Sequence, residues 1–524
     1  MNLKFILSAV FLLLIALGGY SFWELSRGSG AGDLSPRKDY ERHVPENTRT
    51  LVPQSQYDAL TAALGKGGDG GDKLDDDIIH QVAASPCGPS LGYLITQFRT
   101  NPVVPQALEA VRKGLQDPPA GYFDTTGAPL QNPWRVETAT KLRDRMVKTF
   151  LSWCVFLPEI NGTHDNGLEY ILDFAWFYYQ NNAGQDFVQG RNPLNPAEPL
   201  LTGWKFTKDF STQRGAYMDS PASTAMIAQW ASDPRIEIAD YQKQNPADYS
   251  SWNDFFAREL IVDHASQTIP SRPATMPQDQ YPERDYIVVS PTDCIMNPLV
   301  QVLSGDKTVE RKIVENPLQY DTVLDVKGIP LSLAQLLEGV PQEYRDPFIG
   351  GTGQSCVLMP NTYHHYHAPV NGTVVHAAII ESNTYGYLDF PNWVPLSGNV
   401  GRPGTDFSQF QNFQRGVVII EVKYAGLQGE EITGYVASIP VGLGTIGSVT
   451  LDEGIVPGKV VKRGFTEIGN FYYGGSLNIL LYSKGLAGSP VQTRMGTQIN
   501  LFNVGTPPAA RQAAPVTTAP KTEQ

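Results

Sequence analysis

The chain has 524 residues, 41% of them hydrophobic and 18% charged, and its 40 basic against 53 acidic residues leave a net charge of −13. That length exceeds one ordinary domain, the composition is that of a globular body rather than a disordered or multispanning chain, and the acidic balance opposes nucleic-acid binding. Cys87, Cys154, Cys294 and Cys356 stand far apart with no C-x-x-C spacing, which argues against a disulfide-dense scaffold or a zinc ribbon and leaves room for two disulfides in an exported protein.

Phe5 to Phe22 is an uncharged apolar run of 18 residues, just long enough to span a bilayer at about 1.5 Å per residue. Tyr20, Phe22 and Trp23 suit its interface. Residues 1–27 therefore read as an uncleaved membrane anchor; the alternative is a signal peptide cut near Ala16, Gly18 and Gly19, which would export the body. Basic residues on both flanks leave the orientation open.

Residues 28–75 read as a linker with one short helical pattern, Tyr57 to Leu64, and the run Gly65-Lys66-Gly67-Gly68-Asp69-Gly70-Gly71. The run lacks the Gly-Lys-Ser/Thr ending of a phosphate-binding loop, and Asp69 and Asp72 would repel an anion, so it is taken as flexible linker. From 76 to 246 apolar residues recur at three and four, as in Gln106–Leu115, Glu137–Phe150 and Gly167–Tyr179, which predicts a helical domain and by itself shows no chemistry. Beyond 247 the texture becomes short strand-like runs broken by Pro and Gly, including Tyr286–Ser290, Val357–Met359, Gly416–Tyr424 and Ile479–Tyr482. The expected class is α+β, a helical N-terminal domain followed by a mainly antiparallel β domain over 247–505. Residues 506–524 read as a disordered tail.

Three constellations invite chemistry. Four of the eight histidines fall between 364 and 376, three of them in Tyr363-His364-His365-Tyr366-His367. On a strand His365 and His367 share a face and His364 opposes them. Zinc would need further ligands that no familiar spacing supplies, so no metal is assigned. General acid/base work is the favoured use of these rings, because imidazole titrates closest to neutrality. Gly442-Leu443-Gly444-Thr445-Ile446-Gly447 matches G-x-G-x-x-G, but strand and turn residues follow where a dinucleotide site needs a helix. Gly474-Gly475-Ser476 interrupts a strand-like run. Glycines there form a bulge, or else they free the backbone so that the Ser476 hydroxyl reaches the Gly475 carbonyl.

Taken in order, the motifs resemble the pyruvoyl-dependent phosphatidylserine decarboxylases over Trp252–Tyr482, 231 of 524 residues. They are Trp252-Asn253-Asp254-Phe255-Phe256-Ala257-Arg258-Glu259-Leu260, Ser290-Pro291-Thr292-Asp293 with Cys294 where the family has glycine, Val326-Lys327-Gly328-Ile329-Pro330, Tyr363-His364-x-x-His367-x-Pro369, Lys462-Arg463-Gly464, and Gly474-Gly475-Ser476. The resemblance implies self-cleavage between Gly475 and Ser476, with Ser476 becoming a covalent pyruvoyl cofactor and fragments of 475 and 49 residues. It assigns His367 as the processing base, Asp293 as its orienting carboxylate, and His364 to a decarboxylation that runs through a Schiff base. It further implies a phospholipid substrate at a membrane and a homodimer of cleaved protomers. Leu477 stands where the family commonly has Thr, and the region before 247 has no counterpart in the short bacterial enzymes. It looks like the extension of a sub-branch that includes decarboxylases of free aromatic L-amino acids, which makes such an amino acid the alternative substrate. A non-catalytic exported binding protein and a zinc hydrolase complete the alternatives.

Overall fold

The computed structural model describes residues 51–65, 74–117, 131–158, 169–179, 181–272, 285, 287–304, 309–314, 317–326, 329–358, 361–380, 414–426, 428–443, 449–473, 475–484, 491–493, 495–496 and 498–501. The apolar run Phe5–Phe22, most of the glycine-rich linker and the tail from Thr506 lie outside them. Among the described residues no helix is long and apolar enough to cross a membrane.

Helices dominate the first half: α1 (Gln54–Gly65), α2 (Asp76–Ala84), α3 (Gly88–Thr100), α4 (Val103–Gly114), α5 (Ala139–Cys154), α6 (Glu169–Tyr178), α7 (Asn182–Val188), α8 (Thr202–Met218) and α9 (Ile227–Ala231), with the hairpin β1 (Arg191–Asn192) and β2 (Asn195–Pro199) between α7 and α8. The sequence periodicity predicts α4, α5 and α6 to within a few residues. Thr138 starts α5 by accepting a hydrogen bond from the Lys141 N–H at 3.2 Å, satisfying an amide that the first turn would otherwise orphan. The helix then buries Leu142, Met146, Val147, Phe150 and Trp153. The Phe150 ring lies 4.7–5.2 Å from those of Trp153, Phe174, Phe206 and Phe210. Each such fully buried ring stabilises the fold by roughly 1.5–3 kcal/mol. A disulfide between Cys87 and Cys154 joins the start of α3 to the end of α5.

After α10 (Trp252–Phe256) the chain turns to strands. They are β3 (Ile287–Val289), β4 (Cys294–Pro298), β5 (Val300–Ser304), β6 (Val309–Ile313), β7 (Val323–Val326), β8 (Ile329–Ser332), β9 (Thr352–Leu358), β10 (His365–His367), β11 (Gly372–Ile380), β12 (Arg415–Ala425), β13 (Glu431–Leu443), β14 (Val460–Val461), β15 (Glu467–Asn470), β16 (Gly475–Tyr482), β17 (Val491–Thr493) and β18 (Gln498–Leu501). An antiparallel eight-stranded sheet runs β14-β11-β12-β13-β16-β9-β4-β17. The class is thus α+β, as the sequence predicts.

The central strands are apolar on both faces, which explains their near-continuous hydrophobic spelling. Val418, Ile420, Val422, Leu480 and Tyr482 face a layer containing Tyr366, Ile468 and Phe471. Val417, Ile419, Leu477, Ile479 and Leu481 pack instead on Leu324, Leu331, Leu333 and Leu336, from the four-stranded sheet β6-β5-β7-β8 and the short helix α11 (Leu333–Leu336) that follows it. A second disulfide, Cys294–Cys356, ties β4 to β9. Both pairs of cysteines that the sequence leaves room for are therefore joined.

Candidate active site

β16 is a central strand, and its first two residues are the candidate cleavage pair. The main chain of Ser476 is paired on both sides, with Leu358 of β9 and with Gly442 of β13, and that of Gly475 on one side, with Leu443 of β13. Gly442 and Leu443 open the G-x-G-x-x-G match. They end β13 alongside the cleavage pair, and residues 444–448 of the match lie outside the described residues.

The histidines sit on β10, which pairs with β15, the strand that leads through Phe471 to β16. The Phe471 N–H donates to the His364 carbonyl at 2.8 Å. The alternation expected of a strand holds: the Tyr363 ring meets those of His365 at 5.2 Å and His367 at 5.7 Å, while His364 turns to the other side, 3.9 Å from the Phe256 ring.

All three rings are buried, and each is committed differently. His364 Nδ1 donates to the Thr362 carbonyl at 2.8 Å, leaving Nε2 as the nitrogen that can accept a proton. Burial, reinforced by the Arg258 guanidinium, holds this imidazole well below its ordinary pKa, so it is neutral at pH 7. His367 Nδ1 donates to the Phe465 carbonyl at 3.1 Å, and Nε2 accepts from the Tyr363 hydroxyl at 2.7 Å. Burial pushes its pKa down to about 4 against the opposing charges of Glu467 and Asp293. His365 behaves in the opposite way. Burial disfavours its charge, but Glu467 at 2.5 Å from Nδ1 outweighs that and raises the pKa, while Nε2 donates to the Ala257 carbonyl at 2.8 Å. It is an imidazolium pinning β10 to β15 and to the end of α10. Three histidines adjacent in sequence thus hold three separate sets of partners, and among the described residues no group of three His, Cys, Asp or Glu converges as a metal site would require.

The stretch Ser290-Pro291-Thr292-Asp293 runs beside β10. The Pro291 carbonyl accepts from the His367 N–H at 2.8 Å, and Thr292 Oγ1 donates to the Tyr363 carbonyl at 3.0 Å. Asp293, expected to orient His367, is itself engaged elsewhere. Arg272 Nε donates to Oδ1 at 3.0 Å and Nη2 to Oδ2, and the Met495 N–H donates to Oδ1. What orients the His367 ring in this structure is the Phe465 carbonyl, because a buried carboxylate beside a buried guanidinium takes the bidentate ion pair first. Burial disfavours the charged Arg272, yet Asp293 and the neighbouring Asp240 raise its pKa.

Several participants are given no role by the sequence. Arg272 lies outside every motif. Tyr363 belongs to one without an evident task. Arg258, within the Trp252–Leu260 motif, donates to the carbonyls of Asn361 and Thr362 at 2.8 and 3.1 Å and so fixes the approach to His364. A cleft of about 1090 Å³, lined in part by His367, Phe465, Glu467, Asn371, Lys459 and Lys462, opens onto the His367 side.

Two buried imidazoles held neutral, on a strand hydrogen-bonded to the segment that leads into Gly475-Ser476, suit acid/base chemistry, and comparison with known proteins gives the class. Residues 252–501 match the family model described as phosphatidylserine decarboxylase. Phosphatidylserine decarboxylase proenzymes are similar over the same half. That of Clostridium botulinum is 22% identical over 311 residues, covering 58% of this chain and 84% of the relative. That of Clostridium novyi is 26% identical over 277 residues, covering 53% and 75%. That of Pseudoalteromonas atlantica is 29% identical over 150 residues, covering 29% and 42%. Through residues 252–501 the chain belongs to the phosphatidylserine decarboxylase family, whose members are carboxy-lyases.

Proposed function

We propose that the chain is made as a proenzyme that cuts itself between Gly475 and Ser476, and that the cleaved protein converts phosphatidylserine to phosphatidylethanolamine. The observation that carries this reading is the placement of Gly475-Ser476 at the head of a central strand reached directly from Phe471, which is hydrogen-bonded to His364. His367, neutral at pH 7, can take the Ser476 proton at Nε2 once the Tyr363 hydroxyl gives up that nitrogen, as the Ser476 hydroxyl oxygen bonds to the Gly475 carbonyl carbon and the C–N bond between the two residues breaks. The resulting ester loses the Cα proton and expels the Gly475 carboxylate. Water then displaces the nitrogen as ammonia and leaves a pyruvoyl group at position 476.

The surroundings fit such a group. The strand pairing on both sides of position 476 would hold its amide in place. Once formed, the group supplies an electron sink for the pair released with carbon dioxide. His364 carries a proton to and from the substrate at Nε2, with its ring held by Thr362 and Phe256. Asp293 holds Arg272, and the 290–293 stretch is tied to β10 by the Pro291 carbonyl on the His367 N–H. Membrane attachment through Phe5–Phe22 and a homodimer belong to the same reading. The two disulfides agree with an oxidising, extracytoplasmic setting.

The test is to incubate the cleaved protein with phosphatidylserine vesicles and, separately, with L-tryptophan, measuring carbon dioxide and amine. Phosphatidylethanolamine is the expected product. Turnover of tryptophan with none of the lipid would replace the substrate, and turnover of neither would refute the enzymatic reading.

A further inference from the structure

Tyr473 stands three residues before Ser476 and is held from within the family-matched region and also from outside it. Its ring lies 5.9 Å from Trp252 and 5.2 Å from Phe256, and it belongs to the hydrophobic core of the helical half. The guanidinium of Arg214, on α8, sits 5.8 Å from the ring centre. Arg214 is fully buried, with Nε donating to the Trp153 carbonyl at 2.9 Å and Nη2 to the Phe156 carbonyl at 3.0 Å. The same helix reaches the same residue by a second route. Asp219, which ends α8, accepts from Asn253 Nδ2 at 2.8 Å, and Asn253 Oδ1 accepts from the Tyr473 N–H at 3.4 Å.

We propose that α8 holds the cleavage segment through Tyr473, so that Arg214 is a positioning residue for self-cleavage and positioning is one task of the helical region. The inference rests on the self-cleavage proposed above. On the downstream side Ser476 is fixed by the β9 and β13 ladders, and on the upstream side Tyr473 is fixed by α8. Three residues span at most about 10 Å, so a shift of the upstream anchor passes directly to the reacting bond. Attack by a hydroxyl on the preceding carbonyl is steeply sensitive to placement, a misplacement of about 1 Å costing on the order of a hundredfold. A cation over an aromatic face also favours one position of the ring over its neighbours.

The experiment expresses the full chain as wild type, Arg214→Met, Arg214→Lys, Tyr473→Leu, Tyr473→Phe and the double variant Arg214→Met/Tyr473→Leu. Conversion to fragments is followed by intact mass over time, in variants that retain a cooperative thermal melt. Arg214→Met and Tyr473→Leu should each slow cleavage about tenfold, equivalent to about 1.4 kcal/mol. The double variant should be no slower than the slower single one, because the two residues act through each other. Tyr473→Phe and Arg214→Lys, which keep the ring and the charge, should recover most of the rate. Wild-type rates in both single variants would overturn the inference. So would multiplied effects of about a hundredfold in the double variant, the mark of two unrelated structural losses. If Arg214→Met fails to fold, having uncapped two carbonyls, the comparison of Tyr473→Leu with Tyr473→Phe decides alone, and equal rates overturn the inference. A wild-type chain that never cleaves refutes the self-processing reading itself, a result distinct from variants that cleave normally.

Discussion

The depressed His367 makes the pH dependence of self-cleavage a quantitative test of its role as base. Its neutral ring is defined by Nδ1–H on the Phe465 carbonyl and Nε2 facing the Tyr363 hydroxyl, and burial lowers its pKa to about 4. An ordinary histidine near 6.5 would be about 10% neutral at pH 5.5, whereas one near 4 is about 97% neutral. Acidification from pH 7.5 to 5.5 should therefore leave the cleavage rate nearly unchanged, where an unshifted base would lose about tenfold. The same shift bears on stability. A base with its pKa depressed in the folded state contributes fully above pH 6.5, and its contribution is lost as pH falls toward 4, because the unfolded chain then binds the proton more readily. The span between 6.5 and about 4 corresponds to about 3 kcal/mol. The assay is the rate of fragment appearance by intact mass at half-unit pH steps, with near-ultraviolet circular dichroism confirming the fold at each step. A rate that halves near pH 6.5 while the fold persists would refute the assignment of His367 as a buried neutral base.

Other outcomes follow from the same geometry. His364→Asn, which removes the proton-carrying Nε2 but keeps a side chain able to hydrogen-bond, should leave fragment formation intact and lower decarboxylation at least about a hundredfold, measured as carbon dioxide release per cleaved molecule. Cys154→Ser opens a link across 67 residues and should cost about 4 kcal/mol by chain-entropy reasoning, read from the denaturant midpoint against wild type in non-reducing buffer.

The sequence reveals the architecture where periodicity and burial agree. α5 announces itself through Leu142, Met146, Phe150 and Trp153 at helical spacing, and β12 through the apolar run Val417-Val418-Ile419-Ile420, which suits a strand covered on both faces. The period-two argument also separates His364 from His365 and His367 correctly, because strand alternation is local geometry. Side-chain partnerships over long separations are not legible in this way. Nothing near Asp293 announces that Arg272 will claim it, nor does anything near His365 announce Glu467, 102 residues away. The grip of Arg214 on Tyr473 joins residues 259 apart from opposite halves of the chain. The fate of a histidine's second nitrogen depends on which carbonyl folding brings beside it, and a motif cannot contain that information.

The most direct measurement is the intact mass of the full chain after native expression, alongside Ser476→Ala. The account predicts that the wild type yields a fragment spanning 476–524, its first residue carrying a ketone in place of the serine amine and sensitive to borohydride, while the alanine variant stays whole. A wild-type chain recovered in one piece with the Ser476 hydroxyl intact would contradict it.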